Sequence, residues 1–477
     1  MIYPPDSRRN SIIVPFDPNL HSPQFQPPIH PIGLRDESWL RNGDSIPEVY
    51  FRNQPGFFLG SKCRQTVTKP IWYEGNIIGF GGSGLGKTTL LKPSMCTWNG
   101  GIIAVDLNST LLETYKMLIA KGIPRRPFKE IRLMHGQDAV FRYDPFYMIR
   151  KEKEDEIPKL IRQLSLAIIP LPHDAHEPFW IQSAQNILTG ALIYYFCIGV
   201  EFMDALVNIQ SSSMSILIGK IRENSIAKLY VNQFTDIEKS SENKMLQGIQ
   251  ATLSTCLIPL ITDPQIVELF TPNNNMLNWD DIETSNFFIT IDEDDIALKS
   301  SAVRLLLTQL ITHLKQRPDK HSFQGRLQVP QLLLIDEFPE FGKLETIESA
   351  FATLRKRNVT TAVFCQSLAQ LDRHYGELGR RIILDNCNHQ ILLGSTDLES
   401  IKYFSEFIGD IIVARRSYTE SYGTQLSYSM NINEVRERVS APEELRDLGN
   451  EVLILTRNGT KNGFFKLDKF IIGGNLQ

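Results

Sequence analysis

At 477 residues, 42% hydrophobic and 22% charged, the chain has the composition of a folded, water-soluble protein with length for roughly three domain-sized units. A formal net charge of -4 excludes a globally basic field, so a nucleic-acid ligand would have to meet a local surface or an assembled channel. Six cysteines, scattered without a C-x-x-C pair, argue against a disulfide framework or a zinc site and for reduced thiols in a cytoplasm.

In chain order, residues 1–70 hold eleven of the 26 prolines, which makes helix improbable and predicts an extended N-terminal arm with short strand-like runs at 48–51 and 56–60. The N-terminus lacks a charged-then-apolar leader, so export is not expected. The nearest thing to a membrane span is 178–200. It is uncharged, but Gln182, Ser183, Gln185 and Asn186 interrupt it, and a buried helix is the expectation.

Residues 76–89 read NIIGFGGSGLGKTT and satisfy G-x-x-x-x-G-K-[ST] through Gly81, Gly86, Lys87 and Thr88. The loop Gly81, Gly82, Ser83, Gly84, Leu85, Gly86, Lys87, Thr88 and Thr89 is a phosphate-loop candidate. Its glycines let backbone N–H groups approach a triphosphate, Lys87 reaches the outer phosphates, and the Thr88 hydroxyl can hold Mg²⁺. A short apolar run precedes it and helix-compatible sequence follows to Trp98. Taken alone, so short a pattern also fits a glycine-rich turn.

Alternating strand and helix then continue: a strand at 101–106, a helix near 109–121 and a strand near 131–134. From 151 to about 274 only helical periodicity appears, which predicts an all-helical insert. Strand character returns at 286–291, a helix is expected over 299–315, and 331–335 forms a strand that ends in Asp336-Glu337. A helix is expected at 344–357 and strands at 360–365, ending at Gln366, and 389–393. The expected class is α/β, a mostly parallel sheet with helices on both faces. Its units are an arm (1–70), a first nucleotide-binding part (71–150), an all-α domain (151–275) and a second nucleotide-binding part (276–477). The last contains a Ser-, Tyr- and Thr-rich stretch at 414–433, read as a flexible loop or long hairpin, and a tail with two strands.

A buried strand delivering two carboxylates suits a nucleotide site: Asp336 for the Mg²⁺ sphere and Glu337 as general base toward water. Gln366, ending the next strand, would open onto the same crevice and could orient that water. Arg355 lies on or just past the intervening helix, away from the chain's own phosphate loop, where an arginine could serve a neighbouring subunit's nucleotide. A solvated basic helix end is the alternative for it. His173 and His176 lack a third ligand and read as a surface turn, and the basic runs at 121–132 and 415–416 as solvated charge.

The segment 332–376, with Asp336-Glu337-Phe338-Pro339, Gly342-Lys343, Arg355, Gln366-Ser367, Gln370-Leu371 and Tyr375-Gly376, resembles the TraG/TraD family of type IV secretion coupling proteins. The similarity extends to Lys92-Pro93, Trp98, Asp106, Asp144-Pro145-Phe146 and Phe179-Trp180 with Ala184. It implies a RecA-like homo-hexameric ATPase, with Lys87, Thr88, Asp336, Glu337 and Gln366 acting within one subunit and Arg355 reaching the next. By the same resemblance its cofactors are ATP and Mg²⁺. Its partners are single-stranded DNA, a relaxase–DNA complex or a secreted protein, together with the secretion channel.

Two departures stand out. Family members usually begin with two transmembrane helices, whereas here only the proline-rich arm precedes the core; the alternatives are a soluble variant that binds a separate membrane-anchoring partner at the cytoplasmic face of the inner membrane, or a protein that works elsewhere. The family's Asp-Pro-Lys-Gly-Glu is replaced by Asp106-Leu107-Asn108-Ser109-Thr110. Besides the translocase, a nucleotide-dependent substrate adaptor and a ring that pumps double-stranded DNA are compatible with the residues.

Overall fold

The computed structural model describes residues 12–13, 32–33, 50, 54–135, 141–172, 175–234, 244–326, 328–422, 426–458 and 461–469. Its strands are β1 (Ile12–Ile13), β2 (Ile32–Gly33), β3 (Gly56–Lys62), β4 (Gln65–Pro70), β5 (Asn76–Phe80), β6 (Gly101–Leu107), β7 (Phe128–Leu133) and β8 (Asn286–Ile291). They continue with β9 (Gln331–Ile335), β10 (Val359–Cys365), β11 (Cys387–Leu392), β12 (Asp410–Tyr422), β13 (Leu426–Arg438), β14 (Glu451–Asn458) and β15 (Lys461–Asp468).

Five of these strands, NIIGF, GIIAVDL, NFFITI, QLLLI and VTTAVFC, are buried along their whole length. Near-continuous apolar strands belong in parallel sheets covered on both faces, and that is where they lie. The main sheet runs β4-β3-β15-β14-β11-β5-β10-β9-β6-β8-β7. From β11 to β7 every neighbouring pair is parallel. The side chains alternate between two cores. Ile78, Phe80, Ile103, Val105, Leu333, Ile335 and Val363 enter one, continuous with the helical region. Ile77, Ile102, Ala104, Leu332, Leu334 and Phe364 enter the other, under the helices that follow β5 and β6.

The chain between β7 and β8 holds no strand among its described residues; its longest helices are Ile157–Ile168, Pro178–Cys197, Phe202–Ser211 and Lys244–Thr262. The stretch weighed as a membrane span is the helix Pro178–Cys197, with Ala184, Ile187, Leu188, Ala191 and Leu192 fully buried. Among the described residues one helix, Lys244–Thr262, is long and apolar enough to cross a membrane by length and composition. The helix Ile296–Gln316 ties the regions together: Arg304 donates to the Ala167 carbonyl (2.9 Å) at the end of Ile157–Ile168 and to the Phe341 carbonyl (2.9 Å) just past Asp336-Glu337.

Several expectations need adjusting. The arm does not reach residue 70, because β3 and β4 form a hairpin in the main sheet; Phe57, Phe58 and Leu59 are buried, and Pro70 ends an edge strand, where a missing N–H costs least. The single helix expected after the phosphate loop is two, Lys87–Leu91 and Ser94–Thr97, parted at Lys92-Pro93: both residues keep right-handed helical angles, but Pro93 has no N–H to donate to the preceding turn, so the hydrogen-bond ladder is interrupted there. Stretch 414–433 is hairpin rather than loop, β12 and β13 being paired in register from Asp410↔Arg438 to Tyr422↔Leu426. β1 pairs with β13 and β2 with β12, so two pieces of the arm flank this hairpin. Helices Leu368–Asp385 and Leu398–Ile408, and the antiparallel extension by β14, β15, β3 and β4, were not anticipated.

Candidate functional site

Register alone assembles the site. β10 lies between β5 and β9, with Cys365 opposite Phe80 and Val363 opposite Ile335. The loop after β5, the acid pair after β9 and Gln366 after β10 therefore emerge at the same C-terminal edge, where open parallel sheets bind ligands. The Gly81 N–H donates to the Cys365 carbonyl (3.1 Å), anchoring the loop's first residue beside Gln366. Gly84 (φ 77°) and Gly86 (φ 92°) take left-handed conformations that favour glycine. Helix Lys87–Leu91 starts directly after, so its first-turn N–H groups, which lack intrahelical acceptors, face the same loop.

A cleft of about 340 Å³ is lined by Gly82, Ser83, Gly84, Gly86, Lys87, Thr88, Thr89, Asp336 and Glu337, joined by Leu107, Asn108, Thr110 and Glu293. Across it the Lys87 Nζ donates to Glu337 Oε1, both side chains being about nine-tenths buried. The Glu337 N–H donates to Asp336 Oδ1 (3.0 Å), and Glu337 has φ 48°, a strained value for a residue with a side chain. The other Glu337 oxygen, Oε2, is buried without a hydrogen-bond partner. Burial pushes the Asp336 carboxyl up to about 6, the Lys87 charge opposing and the Glu337 charge reinforcing the rise. An orphaned carboxylate oxygen, a desolvated aspartate and the Thr88 hydroxyl are hard oxygen donors around one space. They fit Mg²⁺, and the loop fits a phosphate chain.

Asp106, one strand over, caps the helix Thr110–Ala120 through the N–H groups of Leu111 (3.0 Å) and Leu112 (2.8 Å), and burial lifts its carboxyl to about 6. Asn108 and Ser109, in place of the lysine and glycine expected from the family pattern, both adopt positive φ. Asn108 exchanges hydrogen bonds with Glu293, donating through its amide to Oε2 (3.2 Å) and accepting from the Glu293 N–H (3.1 Å). Of these two cleft residues, Asn108 entered the sequence reading only as a departure from the family pattern, and Glu293 did not enter it. The available signal for Glu293 was its place just past a buried parallel strand, NFFITI.

Gln366 sits half-buried at the cleft's edge and is not among the lining residues; its N–H donates to Gln370 Oε1 (2.8 Å), and Gln370 Nε2 to Glu340 (3.1 Å) in the turn after Glu337. Arg355 lies at the opposite end of the sheet, just before β10, 43% exposed and 3.6 Å from Glu74. Leu85 lies outside the lining; its N–H closes a turn onto the Gly82 carbonyl (3.3 Å). His173 and the tip 423–425 fall outside the described residues, and among those residues no cluster of three or more His, Cys, Asp or Glu could hold a metal.

Fold and cleft together define a RecA-like α/β architecture with a phosphate-loop cleft at the C-terminal edge of its sheet. The chain belongs to the family described as Type IV secretory system Conjugative DNA transfer, whose model matches residues 34–462. It is similar to protein VirD4 of Rhizobium radiobacter, 23% identical over 396 residues, covering 79% of this chain and 54% of that protein. Conjugal transfer protein TraG of Rhizobium radiobacter is 23% identical over 442 residues, covering 88% of this chain and 66% of that protein. The chain thus spans about half to two thirds of the length of these curated relatives. The solved plasmid coupling protein TrwB in complex with ADP and Mg²⁺ shares its fold, with a TM-score of 0.65 at 18% identity, covering 93% of this chain and 95% of that one.

Proposed function

We propose that this chain is an ATPase motor core that forms a homo-hexameric ring and couples a DNA or nucleoprotein substrate to a type IV secretion or conjugation channel. The observation carrying this reading is that Lys87, Thr88, Asp336 and Glu337, contributed by two strand ends with a third strand between them, line one cleft. Lys87 and the loop's N–H groups hold the phosphates of ATP, and Thr88 and Asp336 hold Mg²⁺. When bound there, Mg²⁺ would neutralise charge on the terminal phosphates. Glu337 takes the proton of the attacking water through the oxygen left unpaired here, and Gln366 orients that water from the cleft's edge. Arg355, remote from its own cleft and solvent-exposed, serves the neighbouring subunit's nucleotide as charge develops.

The path from chemistry to motion is Arg304, which grips the turn after Glu337 and the end of helix Ile157–Ile168 together. A change at the acid pair is thereby passed to the helical region, which we assign to substrate engagement as a separate domain. Single-stranded DNA with its relaxase, or a secreted protein, is the cargo, and the ring works at the cytoplasmic face of the inner membrane through an anchoring partner.

ATP turnover measured with and without single-stranded DNA tests this. Severalfold stimulation by single strands supports the motor. Absence of turnover despite nucleotide binding favours an adaptor, and length-dependent stimulation by duplex alone favours a double-strand pump.

A further inference from the structure

We propose that Lys469, at the end of β15, is a positioning residue that sets the orientation of the phosphate loop from the opposite end of the sequence; this rests on the nucleotide-site reading above. Lys469 is 96% buried, and its ammonium spends all three N–H donors on backbone carbonyls: Leu85 (3.1 Å), Leu393 (3.0 Å) and Gly449 (2.8 Å). These belong to the phosphate loop, the end of β11 and the turn before β14. A buried charge is tolerated only when its donors are satisfied, and here they are satisfied by the segments that must stay together. Burial holds the ammonium below its ordinary range, with Asp447 the charge that opposes this.

The Leu85–Gly86 peptide is trans, and in a planar trans peptide the C=O and N–H point in opposite directions. A lysine holding the Leu85 oxygen from behind therefore turns the Gly86 N–H the other way. Gly86 lines the cleft and Lys469 does not. The aliphatic stem backs the same spot, a Cβ placed at Gly86 lying 3.7 Å from Lys469 Cδ. The neighbouring anchors agree: Gly394 would meet Leu85 Cδ1 at 3.4 Å, and Gly81 would meet Leu393 Cβ at 3.0 Å. The loop thus leans on the β11 end that Lys469 also grips. Without the strap the Leu85–Gly86 peptide is free to rotate, and the cradle loses a preset donor.

Lys69 is the matched control. It is fully buried at the other end of β5, bonding the Tyr73 carbonyl (2.6 Å) and the Thr360 hydroxyl (3.3 Å), far from the cleft. Binding of methylanthraniloyl-ATP with Mg²⁺ should be titrated, and Tm measured, for wild type, Lys469→Met, Lys469→Arg and Lys69→Met. We expect Kd to rise about 10-fold for Lys469→Met and less for Lys469→Arg, which keeps the charge but not the three-way geometry. Lys69→Met should lose stability and keep its affinity. If Lys469→Met is too unstable to titrate, Lys469→Arg decides by the same criterion. Affinity within twofold of wild type in the folded Lys469 variants overturns the inference, as does an equal affinity loss in Lys69→Met. A wild type that binds no nucleotide overturns the underlying functional reading instead.

Discussion

The Lys87 ammonium donates to the Glu337 carboxylate across the cleft, joining the loop after β5 to the strand end after β9 over the top of β10. The cation expected to hold phosphate and the carboxylate expected to activate water are thus each other's partners in this structure. In the proposed mechanism nucleotide draws the lysine away, and doing so frees the base.

Separating the two partners gives different losses. Lys87→Ala removes a charge-assisted phosphate contact and should weaken ATP binding at least about 100-fold. Glu337→Gln keeps that contact and relieves the competition, so ATP should bind at least as tightly as to wild type while turnover falls by about 100-fold or more. Equilibrium binding beside single-turnover hydrolysis distinguishes the two; weaker binding in Glu337→Gln would contradict the competition.

Asp336 gives a pH-dependent signature. Its folded value, about 6, is above the ordinary 3.8, so its contribution to stability is fully present below about pH 4 and lost as pH rises through 6. Asparagine mimics the neutral form. Asp336→Asn without nucleotide should therefore melt higher than wild type at pH 7.5, by an amount on the order of 3 kcal/mol, and the gap should close toward pH 4. Thermal melts across that range check it, and a gap that widens on acidification would refute the sign.

Arg355 is exposed and its Glu74 pair is a surface contact, so Arg355→Ala should cost less than about 1 kcal/mol of subunit stability. In the proposed ring its effect falls on the neighbouring subunit. Doping wild type with Arg355→Ala should depress turnover more steeply than dilution; a linear decline would remove the residue from the neighbour's site.

Gly79 in β5 faces Phe364 of β10, and a Cβ there would come within 3.0 Å of several ring atoms. Gly79→Ala should destabilise by about 1–3 kcal/mol through overpacking. Denaturant unfolding measures it. Because the strain falls between the two strands that align the loop with Gln366, nucleotide affinity should drop as well.

The strands around the site were legible because each is a continuous apolar run, and a run buried on both faces reads the same whatever its neighbours. The loop and the acid pair were legible because their chemistry is local: glycine spacing shapes one turn, and two acids follow one strand. The arm's end was misplaced because proline counts report backbone freedom, whereas β3 and β4 are held by pairing with each other and, through β3, with the C-terminal β15.

Sequence by itself determined the menu of parts, namely a phosphate loop, a carboxylate pair, a glutamine at a strand end and an exposed arginine, since each is written in a few adjacent residues. Only the tertiary structure decided their adjacency. Strand order places β10 between β5 and β9, Asn108 finds Glu293 185 residues away, and a lysine at position 469 bonds a carbonyl at position 85, 384 residues away. Such contacts follow from sheet register and from the need of buried polar groups for partners, and neither quantity resides in any short stretch of chain.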